Sequence, residues 1–168
     1  PDHSIARQYA QRALQILEEV HEHGVRDAEV NAALAQLHLQ ENSPRAVAFA
    51  NAVLRRNDSS PHARSTALFV AADDRLKNRE FSAAIELLEE VNQIRRHPVQ
   101  WTMLSQCYLE LGDLTAALDA LQQAVAMNPA EAEMRMQLAE LLERVGDEDA
   151  AEENRRIARL LRAPGSPP

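Results

Sequence analysis

The sequence predicts an all-α protein of about nine helices laid out as antiparallel pairs. Three observations carry that reading. Hydrophobic residues make up 45% of the chain but aromatics only 4%. The core is therefore mostly alanine and leucine, residues of high helix propensity. Apolar residues recur three and four apart, as on one face of a helix, and no alternating run of β-branched residues argues for a strand. Short breaks punctuate these stripes: Gly24, Asn42-Ser43-Pro44, Gly112-Asp113 and Gly146-Asp147. Glycine can take the left-handed turn that ends a helix, and a following Asp or Ser can accept hydrogen bonds from the next helix's free N–H groups.

The first element runs over about residues 4–23 and ends at Gly24. Its segment Ala13-Leu-Gln-Ile-Leu-Glu-Glu-Val20 echoes Ala84-Ile-Glu-Leu-Leu-Glu-Glu-Val91 almost residue for residue. It reads as the second helix of a pair whose first helix is missing, and a chain beginning at Pro1 without an initiator Met reads as a piece of something longer. The next pair covers 28–58. Leu34, Ala35 and His38 lie on its first helix, Ser43 is its N-cap with Pro44 at N1, and Ala46, Ala50 and Val53 form the stripe of its second helix. A pair over 62–96 carries Leu68, Ala71, Ala72 and Arg75, then Ala84, Leu88 and Val91.

The pair over 98–130 is the most sharply patterned. Trp101, Leu104, Tyr108 and Leu111 are spaced to share one helical face, Gly112-Asp113 breaks the helix, and Ala117, Leu118, Leu121, Ala124 and Val125 form a second stripe. The small residues Ser105, Ala117 and Ala124 let two backbones approach. Asn128-Pro129 is expected to open the following helix, with Asn as N-cap. The last pair, 131–162, repeats the Gly-Asp turn at Gly146-Asp147, but Arg155 stands where Leu121 stands one pair earlier. A charge there suits a terminal helix with a polar outer face, and Arg156, Arg159 and Arg162 complement the C-terminal end of its dipole. Arg55-Arg56 and Arg95-Arg96 end second helices in the same way. Residues 163–168 read as a disordered tail or linker.

The run Trp101-x-x-Leu104-Ser105-x-x-Tyr108, then Gly112-Asp113, Ala117-x-x-x-Leu121, Ala124 and Asn128-Pro129 resembles the tetratricopeptide repeat, with Ser105 in place of the usual Gly and Leu121 in place of Phe. The resemblance extends over most of the chain. It implies an α-solenoid, a right-handed superhelix of helix pairs whose first helices line a concave groove. Carried onto this sequence, the groove positions are Ala32, Gln36 and Gln40 in the first pair, and Phe69, Asp73 and Lys77 in the second. The third supplies Thr102, Gln106 and Glu110, and the fourth Met136, Glu140 and Arg144. The groove is expected to be mixed and acidic in balance, with Phe69 and Met136 as apolar anchors. Lys and Asn are missing from the places where relatives clasp a C-terminal carboxylate, so that role is set aside.

The formal net charge of −8 disfavours nucleic acid. No Lys or Arg lies between Arg96 and Arg135, whereas Glu110, Asp113, Asp119, Glu131 and Glu133 do. That stretch is a solvated acidic face or a surface for a basic segment of a partner. Cys107, the only cysteine, is expected in the core. His21 and His23, two apart, point to different helical faces and make a poor metal pair. Asp73-Asp74 and Glu89-Glu90 suit a solvated face better than acid–base catalysis. No phosphate loop, nucleophile elbow or zinc cluster is present, so neither catalytic residues nor a cofactor or metal is expected.

The chain is thus expected to be a non-enzymatic scaffold that binds a protein or peptide, a module of a larger bacterial assembly or export protein. Two alternatives stand beside it. One is a structural spacer or self-association element acting through the N-terminal helix, with Leu14, Ile16, Leu17 and Val20 as its apolar surface. The other is the recruiting arm of a multidomain enzyme. No apolar run is long enough for membrane insertion, and the sequence leaves cytoplasm and periplasm open.

Overall fold

The computed structural model describes residues 3–162. The proposed tail, 163–168, and the first two residues lie outside the described residues. Among the described residues there are nine helices and no strand: α1 (His3–Glu22), α2 (Ala28–Gln40), α3 (Arg45–Leu54), α4 (Pro61–Lys77), α5 (Phe81–Ile94), α6 (Pro98–Glu110), α7 (Leu114–Met127), α8 (Ala132–Arg144) and α9 (Glu148–Arg162). They fall into two compact units, Pro1–Arg95 and Arg96–Pro168.

Four hairpins, α2–α3, α4–α5, α6–α7 and α8–α9, share one turn. Each places a residue at positive φ: Asn42 at 55°, Arg79 at 61°, Gly112 at 82° and Gly146 at 86°. Each also closes the ending helix with the same two backward hydrogen bonds. In α6–α7 Gly112 N–H donates to Leu109 O (3.1 Å) and Asp113 N–H to Tyr108 O (2.9 Å). The counterparts are Asn42 to Leu39 and Ser43 to His38, Arg79 to Leu76 and Glu80 to Arg75, and Gly146 to Glu143 and Asp147 to Leu142. This pairing satisfies carbonyls that a helix end leaves orphaned. The next helix is then capped from the residue after the turn. Asp113 accepts from Ala116 N–H at 3.0 Å and Asp147 from Ala150 N–H at 3.1 Å. Ser43 Oγ accepts from Arg45 N–H at 3.3 Å, with Pro44 already in helical geometry. Glu80 has no such side-chain cap.

Between hairpins the caps are Asp27, accepting from Val30 N–H at 2.8 Å, Ser60, accepting from Ala63 N–H at 3.1 Å before Pro61, and His97, whose Nδ1 accepts from Val99 N–H at 3.3 Å. The fourth connection departs from expectation. Asn128 does not open α8; it ends α7, with its N–H on Ala124 O, and the helix begins at Ala132 after a turn through Pro129. Arg135 Nε donates to Pro129 O at 2.7 Å and holds that turn. Leu111 is also misplaced by the periodicity: α6 has ended before it, and it lies 51% exposed.

In the first unit the core gathers Leu14 of α1, Ala32, Leu34 and Ala35 of α2, Ala46, Phe49, Ala50 and Val53 of α3, and Ala63, Ala67 and Val70 of α4. In the second it gathers Ala117, Leu121, Ala124 and Val125 of α7, Leu138, Ala139, Leu141 and Leu142 of α8, and Ala151 of α9, with Trp101 and Tyr108 of α6 packed against them. Alanines where helices meet permit close approach. Arg155 replaces an apolar side chain in α9 and pairs with Glu143 of α8.

His38 is buried where α1, α2 and α3 meet. Its ring stacks on Phe49 with centroids 5.3 Å apart, and His21 meets the same phenyl edge-on at 5.3 Å. Glu18 Oε1 of α1 lies 3.3 Å from His38 Nε2 and also pairs with Arg45 of α3, yet neither ring nitrogen of His38 makes a well-aligned hydrogen bond. Burial first, then the Arg45 charge, holds the His38 pKa below 6.5, against the opposing pull of Glu18 and Glu41. The folded state therefore binds fewer protons at this site than the unfolded chain. The associated stability is complete above pH 6.5 and is lost as pH falls through that value toward the lower folded pKa. Urea unfolding across this window is expected to show the first unit weakening in acid, and His38→Gln to flatten that slope. An unchanged slope in the variant would place its origin elsewhere.

Candidate functional site

In the first unit the expected groove residues differ in exposure and surroundings. Ala32 is 1% exposed and belongs to the core. Gln36 is half-buried. Gln40 is exposed and joins Ala6, Arg7, Ala10, Gln11 and Leu14 of α1 around an open cleft of about 640 Å³. On α4, Phe69 is half-buried. Asp73 and Lys77 border a second cleft, of about 160 Å³, with Pro44, Val47, Val70 and Asn42, which also lines the first. There Lys77 Nζ lies 2.8 Å from Asp73 and donates to Asn42 Oδ1 at 3.0 Å. One turn apart on the same face, the two charges neutralise each other and tie α4 to the α2–α3 turn.

The second unit brings four expected residues together. Thr102 and Gln106 of α6 and Glu140 and Arg144 of α8 line one cleft of about 260 Å³. Helical spacing explains this: 102 and 106, like 140 and 144, are one turn apart and project from one face. Leu109, Leu121 and Leu141 supply an apolar floor, and Ser105 and Gln137 complete the lining. Gln137 and the leucines were not picked out by sequence position. Gln137 lies beside Met136 and could have been found only by knowing how α8 is rotated against α6. Met136 is half-buried, Glu110 is exposed, and neither lines this cleft.

The polar rim has capacity to spare. Thr102 Oγ1 donates to Pro98 O at 3.2 Å, but among the described residues Glu140 and Arg144 form no ion pair with each other or with a third residue. Neighbouring charges are engaged: Glu143 holds Arg155, and Glu133 holds Arg162 at 2.7 Å. Cys107, beneath this face, is fully buried, and burial, then Glu110, pushes its thiol pKa up. It is a packing residue rather than a nucleophile. Among the described residues no three His, Cys, Asp or Glu side chains gather as metal ligands. His21 packs on Phe49, while His23 Nδ1 sits 2.7 Å from Glu19 O. No described helix is long and apolar enough to cross a membrane.

Comparison with known proteins agrees with this architecture. Residues 102–162 match the sequence model of the tetratricopeptide repeat, and residues 44–124 match that of anaphase-promoting complex, cyclosome, subunit 3. No curated protein matches the chain. Among solved structures, MamA 41-end from Desulfovibrio magneticus RS-1 is similar over 98% of this chain and 92% of its own, at 23% identity and a TM-score of 0.73. A second MamA structure aligns over 95% and 92%, at 15% identity and a TM-score of 0.75. YrrB, described as a TPR protein with an unusual peptide-binding site, aligns over 87% and 74%, at 23% identity and a TM-score of 0.73. At these identities the likeness is one of fold. The chain has the all-α solenoid fold of a protein–protein interaction module, a class whose members are generally scaffolds rather than catalysts.

Proposed function

We propose that this chain, which belongs to the tetratricopeptide-repeat family, holds an extended segment of a partner protein against α6 and α8, the first helices of the two pairs in its second unit. Residues 28–58, 62–96, 98–130 and 131–162 act as the repeats, with α9 as the polar cap. The observation that carries the reading is the cleft of the second unit, where Thr102, Gln106, Glu140 and Arg144 surround a leucine floor. Glutamine amides suit an extended backbone because each offers a donor and an acceptor to a peptide unit. The floor accepts one aliphatic side chain. Glu140, exposed on the cleft rim and in no ion pair among the described residues, favours a basic residue in the ligand. Met136, beside Gln137 on α8, is a secondary contact. The parent protein is a bacterial assembly or export component.

Selection of random peptides displayed on phage against the wild-type chain tests this. The expected winners carry an aliphatic residue next to Lys or Arg. Glu140→Lys with Gln106→Ala is expected to weaken them about fivefold, roughly 1 kcal/mol. Selected peptides that bind the double variant as tightly as the wild type would remove the cleft from the proposal. Enrichment of acidic peptides would remove its basic ligand.

A further inference from the structure

The echo between α1 and α5 extends from sequence to packing, and the two copies differ in one respect. Ala84, Leu88 and Val91 of α5 are fully buried because α5 lies along α4. Their counterparts Ala13, Leu17 and Val20 are only half-buried. α1 packs on α2 and α3 through Leu14, Leu17, Glu18 and His21, and the described residues leave its other side open. Along that side run Ile5 (50% exposed), Tyr9 (74%), Ala13, Ile16 (45%) and Val20. Their spacings of four, four, three and four residues make one continuous stripe, about 22 Å long at 1.5 Å per residue. Helices of single folded chains rarely leave such a stripe bare.

We infer that the open side of α1 is a docking site for a helix of another polypeptide bearing the face that α4 presents to α5: a leucine–alanine stripe and one arginine. The arginine follows from charge complementarity. Arg64 of α4 donates through Nε (3.0 Å) and Nη2 (2.6 Å) to Glu90 Oε1 of α5. The residue of α1 at the place of Glu90 is Glu19, which accepts from Gln15 at 3.2 Å but has no cationic partner among the described residues. A helix joined to α1 by the hairpin turn that the four pairs share is ruled out by the length of α1. α5 starts at Phe81, immediately after the tight turn from α4, whereas α1 continues as helix for seven residues before the matching Ala10. The turn that closes each of the four hairpins is replaced by helix here, and the added residues lengthen the same apolar stripe.

A labelled synthetic peptide with the sequence of residues 61–77 serves as the probe, titrated into the whole chain and followed by fluorescence anisotropy and amide hydrogen exchange. The expected result is saturable binding with new protection confined to residues 5–20. Tyr9→Arg combined with Ile16→Arg, at positions exposed enough to leave the fold intact by circular dichroism, weakens it at least fivefold. A peptide carrying Arg64→Glu binds several-fold more weakly and recovers on chains carrying Glu19→Arg. Absence of saturable binding overturns the inference. Protection at residues 81–94 instead of α1 also overturns it, since the peptide would then be exchanging with α4. Sedimentation showing a dimer that buries α1 and excludes the peptide would assign the stripe to a second copy.

Discussion

Replacing Leu88 by alanine is expected to cost the first unit about 3 kcal/mol, within the range for emptying a fully enclosed leucine site. Leu88 has no exposed surface and sits between Ala84 and Val91 on the side of α5 that α4 covers. α4 and α5 are joined by the Arg79 turn at one end and the Arg64–Glu90 pair at the other, which limits how far they can close on the space left. Leu17 holds the matching place in α1 but is only half-buried, and water reaches the gap its removal leaves. Leu17→Ala is therefore expected to cost about 1 kcal/mol, mainly the transfer of the lost methylenes. The comparison needs only urea unfolding followed by circular dichroism at 222 nm. The same sequence segment supplies both sites, so the difference reports cover, not composition. Equal losses in the two variants would mean that α1 is as well packed as α5.

What could be read from the sequence was what local spacing determines. The helix stripes, the Gly-Asp turns and their caps depend on residues within one or two turns of each other, and apart from Leu111 they lie where the pattern places them. The failures are tertiary. Asn128-Pro129 has the chemistry of a helix start and also that of a turn; the choice is made by Arg135, six residues on, which captures the Pro129 carbonyl. Phe69 and Met136 are only partly accessible, and how much of each is presented depends on neighbouring helices. Asp73 and Lys77 could have been discounted as independent contacts, because charges four apart on a helix pair with each other. The cleft of the second unit was half legible. Thr102, Gln106, Glu140 and Arg144 followed from repeat position, whereas Gln137, Leu109 and Leu141 required knowing how α8 lies against α6.

The shared hairpin turn carries the second large effect. Gly112→Ala is expected to destabilise the second unit by about 1–2 kcal/mol, the penalty an L-residue meets in left-handed geometry. At φ 82° a Cβ would touch nothing within 4 Å, so no clash contributes and the loss is purely one of backbone conformation. Trp101, the only tryptophan, packs against this unit's core and reports its unfolding by fluorescence. The reverse change is expected to help the α4–α5 hairpin, where Arg79 occupies the same geometry at φ 61° and Glu80 makes no cap. Arg79→Gly relieves the backbone, and Glu80→Asp puts a carboxylate where Asp113 holds its cap. What the double change forfeits includes an Arg75–Glu80 pair whose partners are both 46% exposed, worth at most about 1 kcal/mol, and a weak contact of Arg79 over the Phe81 ring among its other contacts. A net gain of about 1 kcal/mol is the expected sum. If Arg79→Gly instead destabilised the hairpin, the guanidinium would be contributing more than the left-handed backbone costs, and the four turns would be alike in shape but not in what holds them.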